Sequence, residues 1–319
     1  MDFVPQLCCC RICLKNNEAA TMDFESRTFQ FRGVPFNRTL YNIEVLELLE
    51  DFSVQHDDLY IVTFPKSGTT WMQVLVSLIQ VEGDNERLGN ITSFDRSPWL
   101  ELHHQKVLEA RSPRIISSHL PFFLMPRKLR EGAAKVIYVT RDPKDVLVSL
   151  FHFFGILAMI PADVPLKFED VLESFLNGKY TYGDWFDHVR GWLNSGYKNF
   201  LHVTYEEMSK DLAAVVKRVC KFLDKSLTEE QVQKVMKHSS FEAMRDNPLT
   251  NYSKMVDLYD LSKGDFIRKG KVGDWKSHFT VAQSERFDVA YCERMEGFDP
   301  DLTWNRQPSQ ERLPVGPSS

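Results

Sequence analysis

The most constraining feature of the chain is the run from Leu59 to Ile79. It begins LYIVTF, a short apolar and β-branched segment of the kind buried in a parallel sheet. PKSGTT follows as a turn, and WMQVLVSLI continues with apolar residues all round, as in a buried helix. A strand feeding a tight turn and then a helix is the building unit of an α/β sheet. The turn also carries chemistry. N–H groups at a helix N-terminus, together with the helix dipole, form an anion site. Lys66 adds a positive charge, Gly68 permits the tight turn, and Ser67, Thr69 and Thr70 add hydroxyl donors. A Walker loop places its Lys after the second Gly. Here Lys66 precedes Gly68, so a magnesium-dependent NTPase is disfavoured. An ordinary βα turn is the alternative, and one Lys, one Gly and three hydroxyls together speak against it.

Further strands are expected at 114–117, 135–140 and 200–204, and further helices from Asp142 to about Phe154, at 212–223, 229–238 and 282–295. Asp142 is placed to cap its helix, with Pro143 in the first turn. The expected fold is a single α/β domain over residues 26–305, with a central parallel sheet flanked by helices and a P-loop-like anion loop. Residues 1–25 and 306–319 read as tails. Net charge is −5, so the whole-chain field does not favour nucleic acid, and an anionic ligand needs a local basic site. No apolar run approaches the roughly 20 residues that span a bilayer.

Six cysteines are present, four of them at Cys8, Cys9, Cys10 and Cys13. That spacing is no disulfide framework and suits a reducing compartment. The cluster has three readings: an acylated site, a metal site that lacks a following His, or part of a disordered extension. Met22 opens MDFESRTFQFRGVPF, a second plausible start. The sequons at Asn37, Asn90 and Asn251 carry no meaning without entry into the secretory lumen.

Three other segments bear chemistry. SSHLP (117–121) ends a strand, where catalytic groups of open α/β sheets gather, and a neutral His119 there could take a proton from an acceptor. A lone His is more often structural, and His103, His104 and His152 compete on the same terms. RDPKDVLVS (141–149) sets Arg141 at a strand end and Ser149 about two helical turns later. Arg141 suits a phosphate, or else pairs with Asp145 across the turn. GDFIRKGKVGD (264–274) is basic, Gly-rich and aperiodic, so a loop. Arg268 and Lys269 before Gly270 would fit a second phosphate remote from the first; taken alone, the segment reads as a solvated basic turn.

As an ordered set, TFPKSGTTW, SHLP, RDPKDVLVS and FIRKGKVGDWK resemble the cytosolic sulfotransferase family, and point toward its amine/phenol-type branch. The resemblance runs from about Phe29 to about Asp299. It implies a sulfonate donor, 3′-phosphoadenosine-5′-phosphosulfate (PAPS), a product, PAP, and no required metal. It implies that Lys66, Ser67, Gly68, Thr69, Thr70 and Trp71 form the 5′-phosphosulfate loop, that Lys66 assists the leaving group, and that His119 is the general base. Arg141, Ser149, Arg268, Lys269 and Gly270 match 3′-phosphate residues. Trp71 and Phe241 match the adenine sandwich, with Tyr205, Ser239, Met244 and Phe266 in the same cofactor site. Lys276 to Glu285 matches a dimerisation segment, implying a homodimer.

By position, Phe36, Trp99, Phe122, Phe153 and the stretch Tyr252–Tyr259 are candidates to line a pocket for a small, largely apolar acceptor: a phenol, alcohol, steroid or arylamine. The implied role is conjugation of xenobiotics or hormones in the cytoplasm. Ser117 stands where phenol-type members often have Lys, as in some steroid-type members. Ser239 stands where many members have Thr. Three alternatives remain at this level: a nucleotide kinase, a nucleotide-binding protein without catalysis, and a Golgi enzyme, which would require an N-terminal membrane anchor.

Overall fold

The computed structural model describes residues 28–160, 165–298 and 302. The expected tails, the second start and the Cys8–Cys13 cluster lie outside these residues.

The chain enters through a hairpin, β1 (Thr28–Phe31) and β2 (Val34–Asn37). Its two turn residues, Arg32 and Gly33, have φ of 48° and 82°. Positive φ at both positions matches the twist of a two-residue hairpin. A central sheet comes next, of β3 (Leu59–Thr63), β4 (Ile115–Ser118), β5 (Lys135–Thr140) and β6 (Phe200–Thr204). The spatial order is β4-β3-β5-β6 and every pairing is parallel.

The sheet is buried on both faces. Tyr60, Val62, Val136 and Tyr138 enter one core, with Phe36, Leu100, Leu120 and Trp192. Leu59, Ile61, Ile137 and Val139 enter the other. This is the period-two alternation of a strand. The second face is covered by α1 (Thr69–Gln80), α7 (Leu212–Phe222) and α8 (Glu229–His238). The first is covered in part by α2 (Leu100–Glu109) and α5 (Trp185–Leu193). A third core joins α3 (Pro143–Gly155), α4 (Phe168–Leu176), α5 and the last long helix, α10 (Val281–Arg294). Two short helices, α6 (Tyr205–Lys210) and α9 (Phe241–Arg245), complete the elements used below.

The expected strands and long helices form within a residue or two of their limits. Asp142 caps α3 by accepting from the Lys144 N–H at 2.9 Å, with Pro143 as the first helical residue. The hairpin and α2, α4, α5 and α6 were not anticipated. Segment 264–273 contains neither helix nor strand, as its composition implies.

Arg114, which leads into β4, is buried with Asp58, which leads into β3. Its Nε donates to Asp58 Oδ1 at 2.7 Å, and its Nη2 donates to both Asp58 Oδ2 at 2.5 Å and the Ser53 carbonyl at 2.8 Å. Removing one partner of such a pair leaves an uncompensated buried charge. Arg114→Met is therefore expected to lower stability by about 3–5 kcal/mol, measured by urea unfolding.

Candidate active site

In an all-parallel sheet the strands end on one edge, and ligands of open α/β sheets gather outside their carboxyl ends. The residues that leave the four strands here are the 64–68 turn, His119, Arg141 and Tyr205.

The turn after β3 is held by Gly68, whose φ of 110° favours glycine. A Cβ on Gly68 would meet the Tyr205 ring at 2.9 Å. Thr63 Oγ1 and Thr69 Oγ1 lie 2.7 Å apart, tying strand end to helix start. Thr70 Oγ1 lies 3.3 Å from the Tyr252 hydroxyl. Ser67 Oγ, Trp71 Nε1 and Arg141 Nε are buried with no hydrogen-bond partner among the described residues. Buried polar atoms are ordinarily paired. Three such atoms around a helix N-terminus fit an anion-bearing ligand.

Lys66, at φ 67°, sets its ammonium 4.1 Å from the centroid of Phe266 and 4.5 Å from that of Phe153. Burial, with Arg141 and Arg268 nearby, depresses its pKa to about 7. Phe266 also stacks on Tyr252 at 4.0 Å and meets Tyr259 at 5.2 Å. Arg141 lies over the Tyr205 ring at 4.1 Å and donates to the carbonyls of Lys66 and Lys271 at 3.4 and 3.2 Å. Its contact with Asp145 is long, 3.9 Å. Asp145 instead accepts from the N–H groups of Gly273 and Trp275 at 2.7 and 2.9 Å, fastening the basic loop to α3. Ser149 is half-buried on α3.

In that loop, Arg268 and Lys269 both bond Asp274, at 2.6 and 2.8 Å. Burial alone would raise Asp274; hydrogen bonds from these two cations pull it down to about 2. Gly270, at φ 63°, lies against Phe241, and a Cβ there would meet the ring at 2.3 Å. Tyr205 packs edge-on to Trp71 at 5.2 Å. Met244 is buried beneath this region with Val235 and Tyr205. Ser239, which caps the C-terminus of α8, is fully buried, and its hydroxyl donates to the Val235 carbonyl of that helix at 2.7 Å.

His119 sits beside the turn. Its Nδ1 is 2.7 Å from the Thr63 carbonyl oxygen, which can only accept. Nδ1 therefore carries the proton, and Nε2 holds the free lone pair. Burial, with the Thr63 bond opposing it, depresses the imidazole pKa to about 3. Trp99 packs on the ring at 4.4 Å, and Tyr182 meets it edge-on at 5.1 Å. Trp99 itself bridges in parallel fashion to Ser117 of β4. Glu101, buried at 2% exposure, accepts from the His119 N–H at 2.8 Å and from the Tyr182 hydroxyl at 2.9 Å. The Tyr41 and Tyr182 hydroxyls are 2.5 Å apart.

The structure thus gathers Lys66–Trp71, Arg141, Tyr205, Arg268–Gly270 and Phe241 along one edge, with His119 and Trp99 alongside. Phe153 covers Lys66. Phe36 is fully buried against Tyr41 and Tyr182, and so joins this wall from behind. Phe122 packs on Trp192 and Tyr197 in the first core. Tyr41, Glu101, Tyr182 and His188 are not marked by their local sequence, because their proximity is tertiary. His152 Nε2 lies 3.0 Å from His278 Nε2, away from His119. Among the described residues no group of acids, His and Cys could hold a metal, and no helix is long and apolar enough to cross a membrane.

Comparison with known proteins gives the family. The sulfotransferase domain model matches residues 56–299. The chain is 43% identical over 281 residues to amine sulfotransferase of Oryctolagus cuniculus, covering 86% of this chain and 93% of that protein. It is 42% identical over 279 residues to 3-beta-hydroxysteroid sulfotransferase of Cavia porcellus, covering 86% and 96%. Among solved structures it resembles retinol dehydratase in complex with androsterone and inactive cofactor PAP, with a TM-score of 0.76, 25% identity, and coverage of 85% and 90%. The chain belongs to the sulfotransferase family and is a PAPS-dependent sulfotransferase.

The close fit of Gly270 on Phe241 yields a test. A Cβ at a left-handed position costs roughly 1–2 kcal/mol before any clash. Gly270→Ala is expected to lower stability by at least about 1 kcal/mol in urea unfolding.

Proposed function

We propose that this enzyme transfers a sulfonate group to a hydroxyl or amine of a small, largely apolar acceptor, with His119 as general base and Lys66 assisting the leaving group. The observation that carries the reading is the fixed tautomer of His119: its Nδ1 proton is committed to the Thr63 carbonyl, so Nε2 is available to accept a proton beside the anion turn. When bound, PAPS supplies the sulfonate and departs as PAP. The chain's own groups do the rest. Lys66 presents a cation where charge develops on the leaving phosphate, and the N–H groups opening α1, with Ser67, Thr69 and Thr70, orient the phosphosulfate. Arg141, Ser149, Arg268, Lys269 and Gly270 take the 3′-phosphate. Trp71 and Phe241 flank the adenine, with Tyr205, Ser239, Met244 and Phe266 around it.

No covalent enzyme intermediate and no metal are required, since position and charge stabilisation suffice. Trp99, Tyr182 and Tyr41 line the acceptor side, backed by Phe36, with Phe153 and Tyr252–Tyr259 opposite. The relatives' names, amine and 3-beta-hydroxysteroid sulfotransferase, favour amines and steroid alcohols over phenols. Ser117, where phenol-type members often have Lys, points the same way. The protein is read as one domain over 26–305 that acts in the cytosol, where the reduced thiol of Cys220 is at home. A homodimer would use Lys276–Glu285, in which Val281 is 76% exposed.

Transfer of labelled sulfate from PAPS to 4-nitrophenol, 1-butanol, androsterone and aniline tests the reading. His119→Ala is expected to lower kcat by about 10²- to 10⁴-fold while retaining PAP binding; full turnover would remove His119 as base. Sedimentation of Val281→Glu tests the dimer, and is expected to shift it toward monomer.

Lys66 predicts a pH effect. Its pKa in the free protein is about 7, so it is largely neutral at pH 8. A bound phosphate favours the charged form and raises that pKa. PAP binding at pH 8 should therefore take up a proton, and affinity should fall as pH rises through 7. Calorimetry in buffers of different ionisation enthalpy reads the uptake, which Lys66→Met should abolish.

A further inference from the structure

His119 is held by its main chain as well as by its ring. β4 ends at Ser118, so His119 lies beyond the sheet ladder. Its N–H nevertheless donates to the buried Glu101 carboxylate at 2.8 Å. Its carbonyl oxygen lies 3.1 Å from Nε2 of His188, which is 1% exposed on α5. A carbonyl can only accept, so Nε2 of His188 carries the proton. Nδ1 of His188 must then accept, and the Tyr138 hydroxyl stands 2.9 Å from it. Tyr138 belongs to β5, so the orientation of His188 is set from the sheet itself. One residue on, the Leu120 carbonyl accepts from Trp192 Nε1 at 3.1 Å, again from α5.

We propose that Glu101 and His188 are positioning residues for sulfonate transfer: together they clamp the two peptide groups flanking His119 and so fix where its Nε2 stands. The proposal rests on the reading of His119 as base. Water could satisfy a loop peptide, but would let the residue shift. A buried carboxylate and a tautomerically fixed imidazole do not. Glu101 has a second duty, because the same Oε1 accepts the Tyr182 hydroxyl at 2.9 Å. The wall beside the imidazole is thereby set from the same atom as the base. A misplacement of about 1 Å in a catalytic group can cost about 100-fold in rate.

The test is a cycle of wild type, His188→Leu, His119→Ala and the double variant, assayed on whichever of the four acceptors turns over fastest, with PAP titration alongside. His188→Leu is expected to lower kcat about 100-fold, with acceptor KM and PAP affinity within about threefold of wild type. In the His119→Ala background it should cost nothing further, because its effect runs through His119. His188→Gln, whose amide can donate to the same carbonyl, should recover most of the lost turnover. Tyr138→Phe frees the His188 tautomer, and should lower kcat about tenfold only when His119 is present; it serves if His188→Leu does not fold. Equal losses in both backgrounds, or a loss confined to PAP affinity, would overturn the clamp while leaving the base in place. Full turnover by His119→Ala would instead remove the base, and the clamp with it.

Discussion

Cations gathered in one crevice repel one another, and the architecture of this site answers that repulsion. Lys66 and Arg141 come from the ends of β3 and β5, and Arg268 and Lys269 from the basic loop. Two of these charges rest on aromatic faces, Lys66 on Phe153 and Phe266, Arg141 on Tyr205. The other two rest on Asp274. Cation–π contacts of this kind contribute about 0.5–2 kcal/mol each. They are weaker partners than a phosphate would be, so the crevice is organised without its strongest ligand and still favours an anion. The orphan atoms of Ser67, Trp71 and Arg141 express the same bias in hydrogen bonds.

The parallel sheet makes this crowding possible. A strand has no lateral freedom once both neighbours are paired, and β3 and β5 are paired on both sides. Their carboxyl ends deliver the anion turn and Arg141 at fixed spacing. β4 and β6, at the sheet edges, deliver His119 and Tyr205. Edge strands need other support, and His119 receives it from α2 and α5 through Glu101 and His188.

Much of this was legible in the sequence. The β-branched runs before the 64–68 turn, His119 and Arg141 reveal buried strands, and residues just beyond a buried strand in an α/β sheet lie at the active edge. Gly270 was legible through the cations before it. Glu101 was not, for LELHHQKVLE reads as a polar surface segment and only the fold buries its carboxylate. His188 was hidden for the same reason. The hairpin was missed because Arg32-Gly33 is a less frequent way to supply two positive φ values than Asn-Gly. Phe122 shows another limit: it stands two residues beyond SHL, and that its half-buried ring packs on Trp192 and Tyr197 is set by the tertiary fold. Sequence position does not say which face a ring takes.

The bridge between Trp99 and Ser117 has a bearing on how a pocket of this kind could vary. The Ser117 N–H donates to the Pro98 carbonyl at 3.0 Å, so the segment carrying Trp99 is stitched to the edge of β4 by a single bridge. The indole against His119 is thus part of the rigid frame. Tyr252 lies on irregular chain, where change of length and shape is tolerated, and Tyr259 is bridged to Leu157, which lies outside the sheet. Divergence among enzymes built on this plan would then fall on one bank of the crevice, the other being a fixed straightedge against which each new acceptor is measured.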